Sequence, residues 1–122
     1  MKHSQAFIDL VHLAKKQVNE CSLEEVLHKQ SMGKDFLVVD TREESEWELG
    51  RIPGSMHIGK GVIERDIESK IPNKDQEIIL YCGGGYRSAL AALNLQQMGY
   101  KNVISMDGGF KAYKDSGLEI EK

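Results

Sequence analysis

The sequence predicts an α/β protein with a mostly parallel sheet and helices on both of its faces. Short apolar runs rich in β-branched residues, at 36–39, 78–81 and 103–106, have strand length. Segments with helical spacing or capping signals lie between them, so strands and helices alternate along the chain. No repeat, low-complexity stretch or linker divides the 122 residues, a length that suits one domain.

The elements follow in order. Phe7, Ile8, Leu10, Val11, Ala14 and Val18 recur at helical spacing and predict an amphipathic helix packed on the domain. Ser22-Leu23-Glu24-Glu25 has capping-box spacing and opens a helix to about Gln30, which Gly33 stops. After the strand at 36–39, Thr41-Arg42-Glu43-Glu44 repeats that spacing and predicts a helix through Trp47, stopped at Gly50. Ile52-Pro53-Gly54 signals a turn, and Met56-His57-Ile58 a brief strand. Residues 62–70 read as a helix that must end before Pro72. The strand at 78–81 feeds a glycine loop, and the helix at 88–98 stops at Gly99. A strand at 103–106, a turn at Asp107-Gly108-Gly109 and a helix at 110–115 complete the chain.

Composition narrows the function. Hydrophobic residues make up 40% and charged residues 29%, as in ordinary soluble domains. A net charge of −3 argues against a nucleic-acid binder, and no apolar run is long enough to span a bilayer. The first residues lack the apolar stretch of a signal peptide, so a cytoplasmic protein is expected. Cys21 and Cys82 lie far apart with no metal-ligand spacing, so neither a disulfide scaffold nor a bound metal is expected.

The chemistry concentrates at Cys82-Gly83-Gly84-Gly85-Tyr86-Arg87. A cysteine ends the apolar strand, three glycines follow, and an arginine stands at the start of the next helix. Successive N–H groups in such a turn form an anion-binding nest. The helix N-terminus and Arg87 add positive charge, and all three favour the thiolate, the nucleophilic form of cysteine. A buried core cysteine beside a flexible loop is the plain alternative, but it does not call for an arginine at the helix start.

Four stretches then resemble one family, in its expected order. They are Val39-Asp40-Thr41-Arg42-Glu43, Glu46-Trp47-Glu48-Leu49-Gly50-Arg51-Ile52-Pro53-Gly54-Ser55, the 82–87 loop, and Asp107-Gly108-Gly109-Phe110-Lys111-Ala112-Tyr113. On these the chain resembles a single-domain rhodanese-type sulfurtransferase from about Ser22 to Leu118. The resemblance implies a rhodanese-like domain at 21–122 with a mostly parallel five-stranded sheet, and leaves 1–20 as an N-terminal helical extension. It also implies that Cys82 takes the outer sulfur of thiosulfate or a persulfide and passes it to a thiol, to cyanide, or to a protein acceptor. No metal or organic cofactor is implied. Gly83, Gly84, Gly85, Tyr86 and Arg87 are the expected substrate-binding residues, with Arg42.

Other residues carry weaker signals. Asp40 reads as a cap for the helix after it, and Arg42 suits either the pocket or an ion pair with a nearby glutamate. Trp47 reads as core, His57 as structural, and Cys21 as a bystander. Gly83 and Gly84 stand where many thiosulfate-using relatives carry basic residues, which disfavours that dianion as donor. Arg51 replaces the family's common histidine. A cysteine phosphatase or arsenate reductase is the enzymatic rival. Those enzymes have five residues between cysteine and arginine; here four intervene, and a smaller ring suits a single sulfur. A non-catalytic sulfur-carrier or interaction module is the rival from another class.

Overall fold

The computed structural model describes residues 2–122. In chain order the elements are α1 (Gln5–Lys15), β1 (Asn19–Cys21), α2 (Leu23–Ser31), β2 (Leu37–Asp40), α3 (Glu44–Leu49), β3 (Met56–His57), α4 (Ile63–Lys70), β4 (Ile78–Tyr81), α5 (Tyr86–Gln97), β5 (Val103–Met106) and α6 (Gly109–Asp115). The five strands form one sheet in the order β1-β5-β4-β2-β3. Every pairing is parallel.

β4 shows why the sheet needs helices on both sides. Its four residues are all fully buried, and they alternate between two cores. Ile78 and Leu80 join Ile63, Ile67, Ala91, Ala92 and Leu95 on the face covered by α4 and α5. Ile79 and Tyr81 join Leu23, Val26, Met106 and Tyr113 on the face covered by α2 and α6. A strand buried on both faces reads as a continuous apolar run, which is how it stands in the sequence.

α1 packs on α5, outside the first core. Val11 and Ala14 are its buried residues, whereas Leu10 and Leu13 are more than half exposed. No helix among the described residues is long and apolar enough to cross a membrane.

Several elements differ from expectation. β1 is an edge strand of three residues, two of them exposed, and such a strand carries no apolar pattern. α5 starts at Tyr86 rather than at residue 88, directly after the glycine loop. The capping box of α3 is formed by Glu43 and Glu46, not by Thr41 and Glu44. Thr41 is buried and donates to the Tyr81 carbonyl from both its amide (2.8 Å) and its hydroxyl (2.9 Å), tying β2 to β4. Trp47 lies outside both cores; it is half-buried, stacked on His57 at 5.0 Å and covered by the Arg51 guanidinium at 4.5 Å.

Candidate active site

Cys82 leaves the carboxyl end of β4, the end at which parallel α/β sheets bind ligands. Gly85 turns the chain into α5 with φ +100°, a conformation that strains any residue with a side chain. The turn aims two backbone donors at the sulfur. Cys82 Sγ accepts from Gly85 N at 3.1 Å and from Ser88 N at 3.4 Å. Gly85 is the N-cap of α5 and offers no side-chain acceptor. Ser88 is the third helical residue, whose amide an N-cap side chain would ordinarily satisfy. The cysteine sulfur does that work here. Ser88 Oγ lies 3.5 Å from Sγ and 2.8 Å from Ser105 Oγ, and both serines are fully buried.

A second helix N-terminus holds the loop from beneath. Phe110 N donates to the Cys82 carbonyl at 2.7 Å, and Lys111 N donates to the Gly83 carbonyl at 3.0 Å. Loop carbonyls are thereby drawn toward α6, and Gly85 N and Ser88 N are left for the sulfur. A Cβ on Gly109 would collide with both of those carbonyl oxygens, so glycine is required there by space as well as by its φ of +53°. Gly85 in turn sits against Asp107 and the Gly108 amide, 3.3 Å from where its own Cβ would be.

Two arginines were expected at the site, and each is held by a carboxylate. Arg87 donates from Nη1 and Nη2 to the two oxygens of Glu46, at 2.7 and 3.2 Å. The hydrogen bonds from Arg87 hold the Glu46 carboxyl below the ordinary glutamate range. Arg42 is 5% exposed and pairs with Asp40, not with a glutamate. Its Nε and Nη2 reach both carboxylate oxygens at 2.8–3.1 Å, and Nη2 also donates to the Gly50 carbonyl at 2.7 Å. Burial disfavours the Arg42 charge, and the Asp40 carboxylate overcomes that and raises its pKa. Asp40 therefore does not cap α3: it binds the Arg42 side chain and, at 2.8 Å, the Arg42 amide.

The expected site residues fall around two neighbouring cavities. Cys82, Gly84, Tyr86 and Arg87 line one of about 260 Å³, together with His3 and Phe7 from the N-terminal segment. Arg42 and Gly83 line another of about 630 Å³, with Glu46, Phe110, Lys111 and Lys114. The Arg87–Glu46 pair stands between them, one partner lining each cavity. Gly85 lies under the loop and contributes its amide. His57 Nε2 donates to the Arg42 carbonyl at 2.8 Å, a structural contact. Sequence reading missed Ser88, Ser105 and the N-terminal pair. The serines stood inside a helix and a strand, and nothing local marks two hydroxyls that meet through space.

Among the described residues, no cluster of three or more His, Cys, Asp or Glu side chains could hold a metal ion. Residues 22–116 match the profile of the rhodanese-like domain family. The chain belongs to that family. The chain is 35% identical over 103 residues to a protein of Allochromatium vinosum named sulfurtransferase, covering 84% of this chain and 94% of the relative. It is 33% identical over 102 residues to the thiosulfate sulfurtransferase GlpE of Pseudoalteromonas translucida, covering 84% and 91%. A solved structure from Rhodopseudomonas palustris, described as a protein of unknown function and possible tyrosine phosphatase, superposes with a TM-score of 0.82 at 30% identity. That superposition covers 99% of this chain and 98% of the other, so it takes in α1.

Proposed function

We propose that this rhodanese-like domain moves a sulfane sulfur from a persulfide or thiosulfate donor to a thiol or cyanide acceptor through a persulfide on Cys82. One observation carries the reading: the Cys82 sulfur is the acceptor for Gly85 N and Ser88 N at an otherwise uncapped helix start. Donors fixed in place before reaction stabilise a negatively charged sulfur without reorganising as it forms. In the first half-reaction the Cys82 thiolate attacks the outer sulfur of the donor. The donor's S–S bond breaks and its electron pair leaves on sulfite or on a thiolate. In the second, the acceptor attacks the outer sulfur of the Cys82 persulfide, and the electron pair returns to Cys82. Splitting the transfer in this way is covalent catalysis. Ser105 positions Ser88 beside the sulfur, and Arg42 holds the Gly50 carbonyl at the wall of the larger cavity.

A phosphatase reading has the description of the Rhodopseudomonas structure in its favour. Two features weigh against it. Only four residues separate Cys82 from Arg87, and Nη1 and Nη2 of Arg87, the nitrogens that would clamp an oxyanion, are engaged by the Glu46 carboxylate.

Intact mass tests the proposal. Incubation with a sulfane donor should add one sulfur atom, which a thiol should remove. Cys82→Ser should show no adduct, and Cys21→Ser should load normally. Sulfur mapped to Cys21 sinks the reading, as does Cys82-dependent phosphate-ester hydrolysis that rivals sulfur transfer.

A further inference from the structure

The smaller cavity borrows part of its wall from outside the family match, which begins at residue 22. His3 precedes α1 and Phe7 lies in its first turn. Their rings and that of Tyr86 form a triangle, with centroids 5.1 Å (His3–Phe7), 5.2 Å (His3–Tyr86) and 6.0 Å (Phe7–Tyr86) apart. All three distances fall in the range of favourable aromatic contact. Lys15 covers the same Tyr86 ring at 5.8 Å, while Glu20 and Asp107 engage its ammonium. The helix beneath this triangle is anchored elsewhere, through Val11 and Ala14.

Charge in this cavity is largely cancelled. Arg87 is the one permanently charged side chain among the described lining residues, and both of its contacting nitrogens are taken by Glu46. Gly84 adds no side chain. Thiosulfate would bring two negative charges to a wall of aromatic rings and a neutralised guanidinium. A donor with an apolar body would cover those rings and lose little solvation. At about 260 Å³ the space holds only a small molecule.

We propose that His3 and Phe7 of the N-terminal segment, with Tyr86, form the donor-binding wall over Cys82 and select small persulfides with an apolar body over thiosulfate. This rests on the sulfur-transfer reading above. In the step concerned, the Cys82 thiolate attacks the terminal sulfur of R–S–SH. The donor S–S bond breaks, R–S⁻ leaves with the electron pair, and Cys82 holds –S–SH. No oxidant or reductant is consumed. The apolar group R stays against the rings while its sulfur departs.

Loading of Cys82 by benzyl persulfide and by thiosulfate, followed by intact mass, tests the wall. Wild type should load faster from benzyl persulfide. The double variant His3→Ala/Phe7→Ala should lower the ratio of the two rates about tenfold, the size expected from losing one or two aromatic contacts. Circular dichroism and melting should show that α1 stays folded and docked. A readout independent of sulfur chemistry is alkylation of Cys82 by N-benzyliodoacetamide relative to iodoacetamide, a ratio the double variant should also reduce. An unchanged ratio in both assays overturns the wall, and so does a wild-type preference for thiosulfate. If neither donor loads Cys82, the sulfur-transfer reading fails and selection of persulfides fails with it. The alkylation ratio then decides alone whether the rings bind apolar bodies.

Discussion

Cys21 and Cys82 stand in similar places and are treated in opposite ways. Cys21 is the last residue of β1, and Cys82 directly follows β4. Both are free and buried, at 6% and 1% exposure, and each precedes a helix. At Cys21 the helix begins at once. Ser22 caps α2 by accepting from Glu25 N at 3.1 Å, and Glu25 returns a contact to Ser22 N at 3.2 Å. The amide of the third helical residue is satisfied by oxygen, where at Cys82 the sulfur takes that place. Burial, then the negative charge of Glu25, pushes the Cys21 thiol up to about 11. At Cys82 three glycines delay the helix, the N-cap is Gly85, and the Ser88 amide finds the sulfur instead. Glu25 and Ser88 are both third residues of their helices. The Cys82 sulfur thus takes the position in α5 that the Ser22 hydroxyl takes in α2. What separates the two cysteines here is two extra residues of loop and one missing oxygen.

The largest expected break in this comparison is Gly109→Ala. Its Cβ would strike the Cys82 and Gly83 carbonyl oxygens, at a positive φ. Together with the strained backbone this should cost ~2–4 kcal/mol of stability and most of the sulfur uptake at Cys82. Ser22→Ala at the other strand end should cost only ~1 kcal/mol, an ordinary lost cap, and should leave uptake intact. Chemical denaturation and mass loading of the two variants measure both effects. Equal behaviour would mean that the α6 buttress is not what organises the loop.

Alkaline pH separates the cysteines next. Cys21 rises from an ordinary 9.0 to about 11 on folding, so the unfolded chain releases that proton first as pH increases. The stability this group contributes is complete below pH 9 and drains away as pH climbs from 9 to about 11. The loss should amount to ~2–3 kcal/mol. Denaturation curves across that window should show it, and Cys21→Ala should flatten the slope. A slope unchanged by the substitution would remove burial of Cys21 as its source.

The smallest effect concerns charge. Gly84 has open space where a Cβ would go and no positive φ, so Gly84→Lys is accommodated. One added charge-assisted contact, ~1.5 kcal/mol at the transition state, should raise kcat/KM for thiosulfate about tenfold, with a smaller gain for a persulfide. No gain would direct attention to Arg42 and the lysines of the larger cavity.

Much of this was legible beforehand because it is local. β4 and β5 are apolar runs, the capping box of Ser22 and Glu25 is a spacing, and the glycine loop is a string of residues. What escaped is set through space. Thr41 looked like a cap and is a clasp between strands, because Glu46 competes for the same helix start and already holds Arg87. Asp40 looked like a cap as well, but the guanidinium two residues on fits its carboxylate with two nitrogens. Arg87 was expected to lend the sulfur a full charge, and the structure pairs it with Glu46, 41 residues away. His3 and Phe7 gave only an amphipathic helix, since helical spacing says which face is apolar and not what that face will meet.

The grip of α6 on the loop also ties the shape of the sulfur cradle to the order in which the chain is made. Cys82 emerges during synthesis well before Phe110 and Lys111, the residues whose amides hold its carbonyl and that of Gly83. Until they arrive, the three glycines have no template, and an unstructured Gly-Gly-Gly segment samples many shapes. A nascent or partly unfolded chain therefore lacks the two ordered amides that face the Cys82 sulfur, and the sulfur cradle appears only when the last helix docks.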